Sequence, residues 1–102
     1  MEINEYQDKI KEYVNYPKEI GPYSTILALI QDAGKLSEKL NNTLINDRGS
    51  FDKKSSLNVL ISLGDILFDI CNMTSDLGYT MNDVISLNLM KHTKNAEEKN
   101  KL

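Results

Sequence analysis

Apolar residues recur along most of the chain at steps of three and four and nowhere alternate over a run, so the sequence predicts helices and no sheet. Ile3, Tyr6, Ile10, Tyr13 and Val14 mark one face of a first helix, with Glu2, Gln7, Asp8, Lys9, Lys11 and Glu12 turned elsewhere. Asn15-Tyr16-Pro17 ends it, because proline disfavours helical geometry in the residue before it and has no N–H to donate. Gly21-Pro22 makes a turn and sets the start of a second, long helix from about Tyr23 to about Asn46. Ile26, Leu29, Ile30, Ala33, Leu36, Leu40 and Leu44 form its stripe, widened by Leu27 and Ala28, and Gly34 within it suggests either close helix packing or accident.

Asp47-Arg48-Gly49-Ser50 is a loop by composition. Ser55 or Ser56 is expected to cap a third helix carrying Leu57, Leu60, Ile61, Gly64, Leu67, Phe68 and Cys71, which runs to Leu77 with Gly78 after its end. Thr80-Met81-Asn82-Asp83 has the form of a capping box with Asp in place of Glu or Gln, so a fourth helix starts at Met81. Val84, Leu87 and Met90 or Lys91 would face inward. From Lys94 the helix is expected to fray, leaving residues 95–102 as a charged flexible tail after a single helical domain of residues 1–94. The expected architecture is all-α, a four-helix subunit whose two long helices pair.

With 102 residues and 11.6 kDa there is room for one domain only, which excludes a multidomain enzyme. The formal charge of −3, with a single arginine, Arg48, leaves no basic field for nucleic acid. The lone Cys71 sits in an apolar run and reads as a buried filler in a reducing compartment. The first residues, Met1 to Glu5, have no signal-peptide pattern, and no uninterrupted apolar stretch reaches bilayer length, so a cytoplasmic protein without a membrane partner is expected. An apolar stripe that extends past Ile30 to Leu27 and Ala28 asks for a partner surface, and a symmetric dimer is the default.

Chemistry-bearing residues are few. His92 stands between Lys91 and Lys94 near the end of the last helix and reads as an exposed member of a basic cluster that complements the helix dipole. On the second helix Asp32 and Lys35 lie one turn apart, and on the third Ser62 and Asp65 repeat that spacing. Two such pairs facing each other across an antiparallel hairpin are how a bundle builds a carboxylate cage for a hard cation. Asp69, one turn beyond Asp65, reads as a surface or interface acid, and Glu38 rotates off the groove face. Asp76 lies nearly two turns beyond Asp69.

These words resemble a known family. Glu5-Tyr6-Gln7, Tyr16-Pro17, Gln31-Asp32-Ala33-Gly34-Lys35-Leu36-Ser37-Glu38-Lys39, Leu63-Gly64-Asp65-Ile66-Leu67-Phe68 and Leu77-Gly78-Tyr79-Thr80-Met81-Asn82-Asp83-Val84, with Asn88 and Lys91, resemble the MazG-like nucleoside triphosphate pyrophosphohydrolases over roughly residues 4–94. The resemblance implies an all-α fold, a homodimer or homotetramer, bound Mg²⁺, and hydrolysis of a nucleoside triphosphate to the monophosphate and pyrophosphate. The family's motifs have the forms E-E-x-x-E and E-x-x-D. Here they read Gln31-Asp32-Ala33-Gly34-Lys35 and Ser62-Leu63-Gly64-Asp65, so Asp32 and Asp65 are the implied metal ligands while Gln31, Lys35 and Ser62 replace carboxylates. Asn88 and Lys91 match groups that contact phosphate or nucleotide. Three functions follow as expectations: a Mg²⁺-dependent hydrolase of weak or absent activity, a degenerate relative that binds nucleotide or a partner with Lys35 standing between Asp32 and Asp65, and an interaction bundle in which these polar residues are solvated.

Overall fold

The computed structural model describes residues 1–100, and the final two residues of the expected tail lie outside the described residues. Four α-helices follow one another with no strand among the described residues: α1 (Ile3–Lys9), α2 (Gly21–Asp47), α3 (Lys53–Asp76) and α4 (Met81–Asn100). A 3₁₀ turn over Ile10–Tyr13 continues α1, and the chain is already extended at Val14, so the helix ends before the expected stop at Asn15-Tyr16-Pro17; a second 3₁₀ turn over Lys18–Ile20 leads into α2. Pro22 occupies the first turn of α2, where its missing N–H has no partner to lose. Gly21 has ordinary helical geometry; its role is room, since a Cβ there would fall 2.5 Å from Asp76 Oδ2. Tyr16 donates its hydroxyl to that same oxygen at 2.9 Å and accepts from Thr25 Oγ1 at 3.2 Å. Gly21→Ala is therefore expected to displace Asp76 from Tyr16 and to destabilise the protein by about 1 kcal/mol net, overpacking outweighing the better helix propensity of alanine. Denaturant unfolding measures this, and an unchanged midpoint would mean that Asp76 swings aside freely.

The caps follow local chemistry with one correction. The third helix is capped by Asp52, not by Ser55 or Ser56. Ser55 donates its backbone N–H to Asp52 Oδ1 at 2.8 Å, and its hydroxyl accepts from the Asp52 N–H at 3.0 Å, so serine is the inner half of the capping box. Those hydrogen bonds hold the Asp52 carboxyl below its ordinary range. At the other end of α3, Gly78 takes a positive φ of 85°, which glycine adopts without strain. The Thr80-Asp83 box closes as the sequence predicts: Asp83 N–H donates to Thr80 Oγ1 at 3.2 Å, and Thr80 N–H donates to Asp83 Oδ2 at 3.0 Å.

α2 and α3 form an antiparallel hairpin along most of their length. The seam buries or half-buries Thr25, Leu29, Asp32, Leu36, Lys39 and Thr43 on α2 against Ser55, Val59, Ser62, Ile66, Asp69 and Met73 on α3. The expected stripe of α2 is thus split. Leu29 and Leu36 enter the seam, whereas Ile26, Ile30, Ala33, Leu40 and Leu44 stay in solvent. Gly34 has open space around it and mediates no close packing within the chain.

A small apolar core lies at the other end of α3, where buried Ile10, Cys71 and Met81 are joined by Ile3, Tyr6, Leu67, Phe68 and Ile70. Gln7, at 4% exposure, ties α1 into this end. It donates to Ser75 Oγ and to the Tyr79 carbonyl, both at 2.9 Å, and accepts the Met81 N–H at 2.8 Å. Asn4 Oδ1 accepts the next amide, Asn82 N–H, at 2.9 Å. Beyond this anchored first turn α4 buries nothing: Val84, Leu87, Met90 and Lys91 are exposed rather than inward. It also stays helical through Asn100, past the expected fraying point at Lys94. α3 is long and apolar enough to cross a membrane by length and composition, with a mean hydropathy of 1.3, but it carries Asp65 and Asp69 and pairs along α2.

Candidate functional site

Helix pairing decides which polar residues meet. The register sets Asp32 opposite Asp69 and Lys39 opposite Ser62, two turns further toward the α2–α3 loop. Asp69 is 5% exposed, and its Oδ2 accepts no hydrogen bond. Its neighbour across the seam is another carboxyl, so the two groups satisfy each other only when one holds a proton. Burial, followed by Asp32 and then Asp65, pushes the Asp69 carboxyl up to about 7. The Tyr6 phenol, which packs from α1 on the core around Cys71, is raised by burial and then by Cys71, Asp65 and Asp69. Of the two expectations for Asp69, a surface or an interface acid, this burial in the α2–α3 seam overturns the first.

The implied ligand set is not assembled as the motif words suggest. Asp32 is half-buried in the seam, but Asp65 is exposed, and Gln31 is in solvent. Lys35 is exposed as well; its Nζ stands 4.0 Å from Asp32 Oδ1 and does not lie between Asp32 and Asp65 as a buried cation. The seam lysine is Lys39, which donates from Nζ to Ser62 Oγ at 2.7 Å and to the Asn58 carbonyl at 3.2 Å. Asn88 and Lys91 lie on the exposed part of α4, which packs on α1 and α3, and neither is joined to Asp32 or Asp65 by an ion pair among the described residues. His92 is exposed, in line with its basic-cluster reading.

Among the described residues no three His, Cys, Asp or Glu side chains converge on a point that could hold a metal ion. Mg²⁺ asks for carboxylates in near-octahedral order, and a half-buried aspartate, a solvent-facing aspartate and a serine engaged by lysine do not supply them. No metal-dependent step is derived for this arrangement. One turn along α3 from Asp69, a cleft of about 420 Å³ opens between α3 and the segment after α1, lined by Lys11, Tyr16, Lys18, Asn72, Ser75 and Asp76. Its lining is mixed in charge, with Lys18 and Asp76 both present and Lys11 paired to Asp8 at 3.1 Å, and its amide and hydroxyl groups offer hydrogen bonds to a small polar molecule.

Sequence reasoning missed three of these features. Lys39 was hidden because it lies one turn beyond Lys35 on nearly the same face, about 40° around the helix, and the sequence does not say which of the two stands nearer the seam. The burial of Gln7 and the pairing of Asp69 with Asp32 both depend on contacts made far along the chain. Compared with known proteins, the chain matches no family model, no curated protein and no solved structure.

Proposed function

We propose that this chain is a MazG-like helical protein that binds a nucleoside triphosphate and hydrolyses it weakly or not at all. The observation that carries this reading is the contact of Lys39 Nζ with Ser62 Oγ at 2.7 Å. At the position where the resemblance calls for a metal-binding carboxylate, the chain has a serine and satisfies it with its own lysine. The nucleotide reading draws on the resemblance carried by Tyr16-Pro17, the Leu77–Val84 segment, Asn88 and Lys91.

Calorimetric titration with a non-hydrolysable triphosphate, in chelator and again with Mg²⁺, tests the binding half. Binding is expected in both conditions with less than a tenfold gain from Mg²⁺. Pyrophosphate release from a nucleotide panel tests the catalytic half and is expected to stay at background. Mg²⁺-dependent turnover that is lost on Asp65→Asn would refute the non-hydrolytic reading. Absence of heat with any nucleotide would favour an interaction bundle, the reading to which the exposed apolar residues of α2 lend weight.

A further inference from the structure

The cleft between the end of α3 and the segment after α1, about 420 Å³, falls within the roughly 300–1,000 Å³ of small-molecule sites. Asn72, Ser75 and Asp76 stand at i, i+3 and i+4, so one face of the last turns of α3 makes one wall, and Tyr16 and Lys18 come from the segment opposite. Three groups here have unused capacity. Asn72 is 4% exposed, yet its side-chain amide has no hydrogen-bond partner among the described residues. That amide is not sealed off, since the sealed side-chain atom without a partner is Asp69 Oδ2, and so it opens onto the cleft. A buried amide left this way is costly unless a bound molecule or water completes it.

The second group is the Asp76 carboxylate, which the fold holds in place. Tyr16, itself bonded to Thr25, donates to Asp76 Oδ2 at 2.9 Å, and the Gly21 backbone closes behind that oxygen. No cation pairs with Asp76 among the described residues. The third is Lys18, for Asp8 engages Lys11 and no anion engages Lys18 among the described residues. An anion such as phosphate would meet Asp76, and a simple amine would meet Lys18, so a ligand of one sign is repelled by one wall. A zwitterion satisfies both. We propose that this cleft binds a free α-amino acid. Its ammonium is matched by Asp76 and the Asn72 carbonyl oxygen, and its carboxylate by Lys18 and the Asn72 NH₂. Ser75 Oγ already accepts from Gln7, which leaves its O–H to donate to the same carboxylate. Val14 supplies an apolar contact for a small aliphatic side chain. This inference does not depend on nucleotide binding.

The test is NMR titration of the isotope-labelled full chain with glycine, L-alanine, L-valine and L-glutamine. At least one should bind with a Kd below about 1 mM and shift the Asn72 side-chain amide signals. Its N-acetyl and primary-amide derivatives, each lacking one charge, should bind at least tenfold more weakly to the native chain. Asp76→Asn, which still accepts from Tyr16, and Lys18→Met should each weaken the free amino acid at least tenfold with helical circular dichroism unchanged. The proposal is overturned if none of the four amino acids moves the Asn72 amide at about 10 mM, a concentration that would reveal even millimolar affinity. It is overturned equally if the N-acetyl derivative, acetate or methylamine binds as tightly as the free amino acid.

Discussion

Replacing Asp69 with asparagine should stabilise the metal-free protein at pH 8 and change it little at pH 4. In the native chain the Asp69 carboxyl holds its proton to about 7, against 3.8 for the free group, because it is buried and faces Asp32 and Asp65. Between those two values the folded state binds more protons than the unfolded one, so stability falls as pH rises through this window and is flat above it. The separation corresponds to at most about 4 kcal/mol, and 2–4 kcal/mol is the expected gain from Asp69→Asn at pH 8, a rise in melting temperature on the order of 10 °C. The amide keeps the shape of the acid and donates permanently to Asp32. Thermal melts from pH 4 to pH 8 in chelator, native against Asp69→Asn, make the comparison. A native profile that gains stability toward neutral pH, or a variant that is less stable at pH 8, would show that Asp69 is ionised and paired in the fold. The neighbours relevant to this titration are Asp32 from α2, Asp65 on α3 itself and the Tyr6 phenol from α1.

Gln7→Leu is expected to cost about 2–4 kcal/mol. It removes the donor to Ser75 Oγ and to the Tyr79 carbonyl, and the acceptor for the Met81 N–H. A buried backbone group left without a partner costs roughly 1–3 kcal/mol, so the buried Met81 N–H, together with the lost bonds to Ser75 Oγ and the Tyr79 carbonyl, outweighs the apolar surface that leucine adds. Gln7→Glu should fall nearly as far, since it retains the acceptor but loses both donors and brings a charge into a buried site. Urea denaturation gives the difference, and a loss under 1 kcal/mol for Gln7→Leu would mean that water replaces the amide.

Stops and starts were legible because they are local. The Thr80-Asp83 box and Gly78 act through their own backbone neighbours, and each does in the structure what its residue type dictates. The cap of α3 was misplaced for an equally local reason: two serines three and four residues beyond Asp52 look like caps, and choosing between an outer aspartate and an inner serine needs the geometry of the turn. Helix continuation from Lys94 to Asn100 was underestimated because that segment has nothing to bury, although Ala96, Glu97, Glu98 and Lys99 favour helix intrinsically. The candidate site was only partly legible. Periodicity groups Asp32 with Leu29 and Leu36, but it does not say which of two adjacent faces of α2 turns toward α3. That single rotation separates a seam containing Lys39 and Asp69 from one containing Lys35 and Asp65.

The amides that start α4 are held by side chains of α1, across sequence separations of 74 and 78 residues. Nucleation of a helix is its slow, unfavourable event, and here the partners that satisfy its first turn arrive from the opposite end of the chain. α4 also gains little from its own flank, since its residues beyond Met81 are exposed. The two ends of the molecule therefore open as one cooperative unit. Amide hydrogen exchange should report a common, low opening free energy for α1 and the first turns of α4, below that of the α2–α3 hairpin. Loss of the first few residues by proteolysis would then register as unfolding some eighty residues away, near Asn82.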